Sequence, residues 1–339
     1  MNFLIVRLGA LGDIVHTVPA VAALRRAHPD ARIDWVVDAR HAAFAELVLP
    51  VDRIIRLEKA TVSAWVDLVR RLWPYRYDVA LDFQGLMKSA VLARASGAAR
   101  VVGFSIWHLR EKGARPFYSD VDSGEGVPHV IGKNLSLLST VGVSSSEAVF
   151  PLAETPSPAL DAVQRETGGA PFALINPGAA WPNKRWPAAR FGEVASFVRD
   201  VRGLQPVVLW GPSEETLARD VVAASGNVAR LAPATTMADL LELSRHASLL
   251  VSGDTGPLHI AGAAGTPLVA IFGPTDPARN GPWSKDDVVV SRYGSCGCHY
   301  QRQCRQSAWC LDDVTVAEVT AAIQHRLGPS PRRSASQPC

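Results

Sequence analysis

The sequence predicts an α/β protein made of two doubly wound domains in tandem. Short, near-continuous apolar runs rich in β-branched residues alternate with longer stretches whose apolar residues recur every three or four positions. Near-continuous apolar strands between helices are typical of a parallel sheet covered on both faces. The alternation stops once, at a stretch rich in Pro, Gly and charge, and then begins again. A length of 339 residues also suits two domains of roughly 150 residues each.

The first domain is predicted over residues 1–155. Its strands are expected at 3–7, 33–37, 52–57, 78–83 and 100–104. Helical periodicity is clearest over 14–27 and 62–73. Residues 156–171, within "PLAETPSPALDAVQRETGGAP", are predicted to form a linker with room for a short helix.

The second domain is predicted over residues 172–328. Its strands are expected within 172–178, 205–211, 248–256 and 267–275. The last stretch, 329–339, "PSPRRSASQPC", has the composition of a disordered tail. Because doubly wound sheets bind ligands at the carboxyl ends of their strands, we expect the chemistry in a cleft between two such facing edges.

Composition and charge narrow the class of protein. Hydrophobic residues make up 47% and charged residues 20%, as in globular domains with large cores. The net charge of +3 is small and spread along the chain, so no nucleic-acid partner is predicted. No apolar run reaches the roughly 18 residues that span a bilayer. The opening apolar run ends at Arg7 without a cleavage site, so we expect no signal peptide and a cytoplasmic protein.

The opening loop poses the first functional question. An apolar strand leads into Gly9 and Gly12, then Asp13, then a helical pattern, a layout that usually cradles a phosphate. Two glycines do not make the G-x-G-x-x-G fingerprint, so a dinucleotide site is weakly supported. Asp13 has two interpretations. It caps a helix predicted from Ile14, where a carboxylate is favoured, or it has a chemical role.

A second candidate loop lies at residues 252–267, "SGDTGPLHIAGAAGTP". A buried strand ends in glycines that flank Asp254 and Thr255, and a helix is predicted near Pro257. Backbone N–H groups and a hydroxyl at a positive helix end suit a diphosphate. His259, one turn into the helix, either reaches that pocket or packs in the domain interface. The alternative for the whole loop is a tight strand-to-helix turn without a ligand.

A third candidate loop lies at residues 176–191, "NPGAAWPNKRWPAARF". Lys184 follows the carboxyl end of a predicted strand, where an ammonium group suits a phosphate oxygen. The alternative is a solvated surface charge. Trp186 is expected to anchor the following helix in the core.

Together these stretches resemble a known family of enzymes. "LGALGDIVHTVPAV", "LDFQGLMKSAVLARASGAARVVGF", "NPGAAWPNKRWP" and "SGDTGPLHIAGAAGTPLVAIFGPTDP" are similar to the ADP-heptose:lipopolysaccharide heptosyltransferases of glycosyltransferase family nine, over residues 3 to about 312. The resemblance implies a GT-B fold of two facing Rossmann-like domains, with the acceptor in the N-terminal domain and the donor in the C-terminal one. It also implies inverting transfer without a metal or other cofactor.

The branch of the family is not fixed by these motifs. "DWVVDAR" and "QGLMKSA" favour heptosyltransferase I, which transfers the first heptose to Kdo. "NPG" is closer to heptosyltransferase II, and Ala179 and Ala180 stand where heptosyltransferase I often has two threonines.

The resemblance also implies roles for individual residues. Asp13 matches the general base, which would take the acceptor proton late in the transfer step. Lys184 matches the catalytic donor-phosphate lysine, and a glutamate, Glu214 or Glu215, would hold the ribose. The nucleotide-sugar loop matches Asp254, Thr255, Gly256 and His259. Gly12 matches an acceptor-side position. Arg110, His129 and Lys133 match basic acceptor-side positions, which would suit the Kdo carboxylate or neighbouring phosphates.

The implied partners are an ADP-sugar donor and an acceptor that is Kdo-lipid A or a heptosylated core. Docking on the cytoplasmic face of the inner membrane is left open. Three alternatives are kept: a family-nine transferase with a different acceptor, such as a heptosyltransferase II; a nucleotide-sugar epimerase on the same plan; and a non-catalytic binding protein in which Asp13 is only a cap.

The cysteines form a separate feature. All five follow residue 295, which argues against a disulfide-built secreted fold. Four of them lie within fifteen residues, Cys296, Cys298, Cys304 and Cys310. Their spacing is not a usual structural-zinc pattern, so the sequence leaves two alternatives, a zinc site or a reduced or occasionally disulfide-linked loop, and we predict no metal.

Overall fold

The computed structural model describes residues 1–58, 61–122, 126–304, 306 and 309–329. The chain divides into two compact units, Met1–Glu154 and a second that begins at Thr155. Except for Pro329, the tail expected over 329–339 lies outside the described residues.

The first unit is a parallel sheet of six strands with helices between them. The strands are β1 Asn2–Val6, β2 Arg32–Asp38, β3 Arg53–Leu57, β4 Val79–Asp82, β5 Arg100–Phe104 and β6 Asp120–Asp122. The helices are α1 Leu11–Val15, α2 Val18–Ala27, α3 Ala42–Ala45, α4 Val62–Leu72, α5 Met87–Ala95 and α6 Val130–Leu137. All neighbours in the order β3-β2-β1-β4-β5-β6 pair in parallel.

The second unit repeats this plan. Its strands are β7 Phe172–Asn176, β8 Gln205–Val208, β9 Arg230–Leu231, β10 Leu249–Gly253, β11 Leu268–Phe272 and β12 Val288–Ser291. Its helices are α7 Pro158–Thr167, α8 Ala188–Arg202, α9 Glu215–Ala224, α10 Met237–His246, α11 Gly256–Ala263, α12 Pro277–Asn280 and α13 Val316–Leu327. The order is β12-β11-β10-β7-β8-β9, again all parallel. The predicted α/β class with doubly wound sheets is confirmed.

In each sheet the first strand of the unit lies beside the fourth, so chain connections run away from this point in both directions. The switch points are β1/β4 in the first unit and β7/β10 in the second. Loops that follow the two strands of a switch point diverge and leave a crevice, which is where doubly wound sheets bind ligands.

The first helical stretch differs from its prediction. A single helix over 14–27 is wrong: α1 begins at Leu11, and a break at His16 and Thr17 separates it from α2. Pro19 explains the break, because it has no N–H to donate to the carbonyl four residues earlier and its ring clashes there.

Three strands were not predicted, β6, β9 and β12. Two of them have only two or three residues, and β12 and β9 are the edges of their sheet. The continuous apolar signal of a central strand is missing in β6 and β9, whereas β12 begins with three consecutive valines, a signal that was overlooked. Within the stretch predicted as a linker, helix α7 buries Ala159, Leu160 and Val163 in the second unit.

Each unit has its own core. In the first, residues 3–6 of β1 are completely buried. In the second, a cluster around Trp186, Phe191, Val251 and Ile271 joins α8 to β10 and β11. Over the residues described, none of the helices combines the length and the apolar character needed to cross a membrane.

Candidate active site

The β7/β10 switch point of the second unit gathers several of the predicted residues. The loop after β7 ends in a 3-10 turn, Pro182–Lys184, and the loop after β10 carries Asp254. Trp186, two residues beyond Lys184, is buried, and its indole donates to the Val314 carbonyl at 3.0 Å. The prediction that Trp186 anchors the following helix is therefore confirmed, and this anchor holds the Lys184 turn beside β10.

Asp254 is the centre of a buried polar cluster. Its Oδ2 lies 2.5 Å from the Lys184 ammonium and accepts the Thr275 hydroxyl at 2.6 Å. Its Oδ1 lies 3.2 Å from Nε2 of His259. Burial by itself would raise the pKa of the Asp254 carboxyl, but the hydrogen bond with His259 and the charge of Lys184 outweigh it and hold that pKa well below the ordinary value. Asp254 is therefore a permanent carboxylate.

Lys184 is fixed rather than solvated. Its side chain is 14% exposed, and its ammonium also lies 4.5 Å above the centroid of the Trp181 ring. An ammonium group has three N–H donors, and Asp254 takes two of them, one through Oδ2 at 2.5 Å and one through its backbone carbonyl at 3.5 Å. The interpretation of Lys184 as a solvated surface charge is wrong.

The first turn of α11 lies in the same loop cluster. Gly256 is its first residue, and Thr255 is the N-cap but does not cap with its own side chain. The Thr255 hydroxyl instead accepts from the Asn176 amide at 2.9 Å, and that amide also donates to Ser252 at 2.8 Å. The N–H groups of a first helical turn have no partner within the helix and lie at its positive end. This arrangement suits an anion such as a phosphate.

The two candidate glutamates occupy different places. Glu214 accepts from the Gly211 N–H at 3.3 Å and lies 3.4 Å from Arg185, and its carboxylate packs so closely on Gly178 that a Cβ there would overlap it. It therefore lies among the loops after β7 and β8. Glu215 instead pairs with Arg219 at 2.6 Å on the exposed surface of α9. Only Glu214 lies with the other candidate donor residues.

Asp13 lies at the β1/β4 switch point of the first unit. Its Oδ1 is 2.7 Å from Arg7, and its Oδ2 accepts the Ala10 N–H at 3.2 Å. Asp13 does not precede a helix from Ile14: it is the third residue of α1, and its carboxylate caps that helix by accepting from Ala10, the residue before the helix. Its side chain is 30% exposed, whereas that of Arg7 is 8% exposed. The carboxylate is thus oriented and still accessible.

The loop after β4 supports this arrangement. Arg7 also donates to the Phe83 carbonyl, and Gln84 accepts the Leu8 N–H at 2.6 Å. Asp82, fully buried, accepts from the backbone of Gln84 and also from Ser89 and Tyr118. Burial raises the pKa of the Asp82 carboxyl despite these hydrogen bonds.

The predicted acceptor residues are only partly brought together. Gly12 lies within α1, and His129, the N-cap of α6, packs its ring 5.6 Å from that of His16, just after α1. Lys133 follows one turn later in α6. Arg110 is exposed in the loop after β5, which is two strands away from β1 in the sheet.

The four described cysteines are free thiols. Cys296 and Cys298 are buried with their sulfur atoms 3.4 Å apart, and the Asn183 amide lies 3.6 Å from the Cys298 sulfur. Burial raises the pKa of the Cys296 and Cys310 thiols. In the part of the chain that the structure describes, no group of three or more His, Cys, Asp or Glu side chains is arranged to hold a metal ion.

Sequence reasoning missed several supporting residues. Arg7 follows a buried strand directly, a position that could have marked it as a partner for Asp13. Thr275, which follows β11, lies within a quoted motif but was given no role. Asn176 and Gln84 reach across the switch points to residues distant in sequence, so no local pattern could have indicated their partners.

The family model that matches the chain and the similar proteins both describe heptosyltransferases. The model of "glycosyltransferase family 9 (heptosyltransferase)" matches residues 65–310. Lipopolysaccharide heptosyltransferase 1 of Pseudomonas aeruginosa is 30% identical over 319 residues, which is 90% of this chain and 87% of that protein.

Solved structures agree on the fold. An Escherichia coli heptosyltransferase with ADP has a TM-score of 0.79 at 24% identity and covers 96% of this chain and 100% of its own. A family 9 glycosyltransferase from Veillonella parvula has a TM-score of 0.80 at 22% identity, with 96% and 97% covered. These matches confirm the predicted GT-B fold class. The chain therefore belongs to glycosyltransferase family 9, the heptosyltransferases, and is a glycosyltransferase.

Proposed function

We propose that this enzyme transfers heptose from ADP-L-glycero-D-manno-heptose to the Kdo region of the lipopolysaccharide inner core. The observation that carries the proposal is the Lys184 ammonium, held by Asp254 beside the first turn of α11, where its free N–H and the N–H groups of the helix start suit a diphosphate. The relative from Pseudomonas aeruginosa is named lipopolysaccharide heptosyltransferase 1, and related structures hold ADP or ADP-2-deoxy-2-fluoro heptose. Both support the choice of donor.

The donor diphosphate would lie on the N–H groups of Thr255 and Gly256. Asp254 fixes the Lys184 ammonium through its Oδ2 and its backbone carbonyl, and the remaining N–H donor can serve a phosphate oxygen. Since positive charge is then in place before ADP leaves, it stabilises the charge that develops on the leaving group. Glu214, among the loops after β7 and β8, would accept the ribose hydroxyls.

Asp13 would act as the general base. The acceptor hydroxyl becomes acidic only as its oxygen bonds to the anomeric carbon, so a positioned carboxylate takes the proton late in the step. Arg7 and the Ala10 N–H hold the two oxygens of Asp13 in a fixed orientation. Attack opposite the departing ADP inverts the anomeric centre.

The acceptor would be bound by the first unit. Lys133 in α6 and Arg110 in the loop after β5 carry positive charges that suit the Kdo carboxylate and lipid A phosphates, and His129 at the start of α6 would add a ring N–H. A heptosyltransferase I-type acceptor, Kdo-lipid A, is favoured because the relative at 30% identity has that name.

Three alternatives remain testable. A heptosyltransferase II-type enzyme would prefer the heptosylated core over Kdo-lipid A. An epimerase would convert the donor without an acceptor, and a binding protein would release no ADP. The family match to transferases favours transfer over the last two.

Mass spectrometry of the products separates these cases. With ADP-heptose and Kdo-lipid A, we expect one heptose to be added and ADP to be released. A new isomer of the sugar without acceptor, or addition only to a heptosylated core, would contradict the proposal.

The donor site can be tested by substituting Lys184. Lys184→Ala removes a charge-assisted partner of the diphosphate, so we expect ADP binding to weaken by about 1.5–3 kcal/mol in calorimetry. Lys285→Ala is the matched control, because Lys285 is an exposed lysine of the same unit. Unchanged ADP affinity in a folded Lys184→Ala protein would remove Lys184 from the site.

A further inference from the structure

The loop after β5 presents an apolar tip to solvent. Trp107 is 83% exposed and Ile106 beside it is 39% exposed. The tip is a defined turn, closed by the His108 N–H, which donates to the Ser105 carbonyl at 2.9 Å. The His108 ring also lies 3.2 Å from the Ser105 hydroxyl. A bulky indole held outward on an ordered turn is the kind of exposed apolar surface that marks an interaction site.

The start of α5 adjoins this loop. The Met87 N–H donates to the Glu111 carboxylate at 2.7 Å, and the Met87 sulfur packs against Gly113. Met87 is itself 39% exposed, and Lys88 is exposed next to it. The end of the loop, at Glu111 and Gly113, is therefore held against the first turn of α5.

Three exposed cations lie on these two adjoining segments. We define the Trp107 surface as Met87, Lys88, Ile106, Trp107, Arg110 and Lys112. The cationic members are Lys88, Arg110 and Lys112, and the neighbouring carboxylate of Glu111 is engaged by a backbone N–H. The surface thus combines an apolar tip with net positive charge.

We propose that the Trp107 surface docks the protein on an anionic phospholipid bilayer. Tryptophan favours the level of the lipid headgroups, where its ring is buried and its N–H stays hydrated. Lysine and arginine nearby are attracted to anionic headgroups over about a Debye length. Because β5 ends at the same edge of the sheet as β1, docking there presents the edge that carries Asp13 to the membrane. The inference goes beyond the proposed function, and binding to lipid does not depend on which sugar is transferred.

The exposed apolar residues of α4 offer a comparison. Val62 is as exposed as Trp107, at 83%. The cations of α4 are engaged within the protein, because Arg70 pairs with Asp67 and Arg71 donates to the Arg56 carbonyl. Charge complementarity with an anionic surface therefore favours the Trp107 surface over α4.

Vesicle co-sedimentation tests the proposal with the full chain. Vesicles contain either phosphatidylcholine alone or phosphatidylcholine mixed with phosphatidylglycerol. We expect binding to the anionic vesicles that weakens at high salt. Trp107→Ser should lower the partition coefficient roughly tenfold, since about 60 Å² of apolar surface is no longer buried. Lys112→Glu should lower it about 25-fold, at roughly fivefold for each unit of charge.

Controls keep the outcome interpretable. Trp107→Phe should retain most of the binding, and Val62→Ser should bind like the unaltered protein. Thermal midpoints of all variants should agree, because the altered side chains are exposed. Transfer by Trp107→Ser to a deacylated, water-dispersed acceptor should keep its kcat. If the unaltered protein binds vesicles but does not transfer heptose, the proposed function is wrong and the docking surface stands.

Several results would overturn the docking surface. One is vesicle binding by Trp107→Ser equal to that of the unaltered protein, and another is loss of binding in Val62→Ser. A third is absence of binding of the unaltered protein to anionic vesicles. Dissociation of an oligomer by Trp107→Ser without an effect on vesicle binding would assign the surface to a protein contact.

Discussion

Asp13 and Asp254 are the same residue type in two different environments. Asp254 is almost completely buried and is held by Lys184, Thr275 and His259. Asp13 is 30% exposed, and Arg7 and one backbone N–H hold it. The first environment suits a fixed counter-charge that orients a lysine, and the second suits a base that an acceptor hydroxyl can reach.

Replacing Asp13 separates catalysis from structure. Asp13→Asn can still accept the Ala10 N–H but no longer neutralises the buried Arg7, so we expect a folded protein with a lowered thermal midpoint and an ADP affinity close to that of the unaltered protein. It cannot take a proton, so transfer should fall on the order of 10²–10⁴-fold. Asp52→Asn is a matched control, because Asp52 also pairs with an arginine, Arg25 at 2.6 Å. Normal turnover in a folded Asp13→Asn protein would return Asp13 to a purely structural role.

Replacing Asp254 should have a pH-dependent effect on stability. Asp254→Asn leaves Lys184 without its buried partner, so the free energy of unfolding at neutral pH should fall by about 3 kcal/mol. Because the pKa of Asp254 is lowered in the folded protein, its stabilisation is present above the ordinary value of 3.8 and is lost as the pH falls. Below pH 3.8 the difference between the two proteins should shrink by about 1.4 kcal/mol per pH unit. Urea unfolding from pH 7 to 3 measures it, and a constant difference would contradict the pairing.

The candidate site was only partly predictable from local sequence. Glycines around Asp254 and a lysine after a strand indicate phosphate binding, and the structure places Lys184 and Asp254 together. Their direct ion pair, and the part of Thr275 in it, depend on which strands are neighbours in the sheet. No spacing rule in a single sequence gives that order.

At the scale of whole elements, central strands were predicted well and interruptions poorly. Strand β5 was predicted at its observed bounds, since a run of apolar residues is needed where both faces are covered. The break between α1 and α2 was missed, because apolar periodicity continues through Pro19 although the backbone hydrogen bonds do not. The edge strands β6 and β9 have only two or three residues and therefore leave a weak pattern.

At the end of β4, the buried carboxyl group of Asp82 holds the following loop, the start of α5 and the Tyr118 side chain together. It accepts from Gln84 at 2.9 Å, Ser89 at 2.8 Å and Tyr118 at 2.7 Å, and burial raises its pKa. Asp82→Asn keeps an acceptor for the backbone N–H groups, and the hydroxyls of Ser89 and Tyr118 can turn to accept from its amide, so we expect it to lower the free energy of unfolding less than Asp82→Ala does. Asp82→Ala leaves buried donors without an acceptor and should cost about 2–4 kcal/mol. Equal losses in urea unfolding of the two variants would contradict this role.

At the scale of the molecule, the same strand order occurs twice with different residues at the switch point. The first unit places an arginine-held carboxylate there, and the second places a lysine held by a carboxylate at a helix start. The repeated topology supplies the crevice, and the side chains after β1, β4, β7 and β10 decide what each crevice can bind.

The second unit should bind ADP without the first. All residues proposed to bind the diphosphate and ribose, Lys184, Glu214, Thr255 and Gly256, belong to the unit that begins at Thr155, which has its own core. Residues 155–339 produced alone should therefore fold cooperatively and bind ADP within about tenfold of the full chain, a free-energy difference of about 1.4 kcal/mol. Residues 1–154 should not bind ADP, and neither piece should transfer sugar. Calorimetry with ADP on both pieces, with Lys184→Ala in the second as control, measures this. A folded second piece without ADP affinity would show that the donor site needs residues of the first unit.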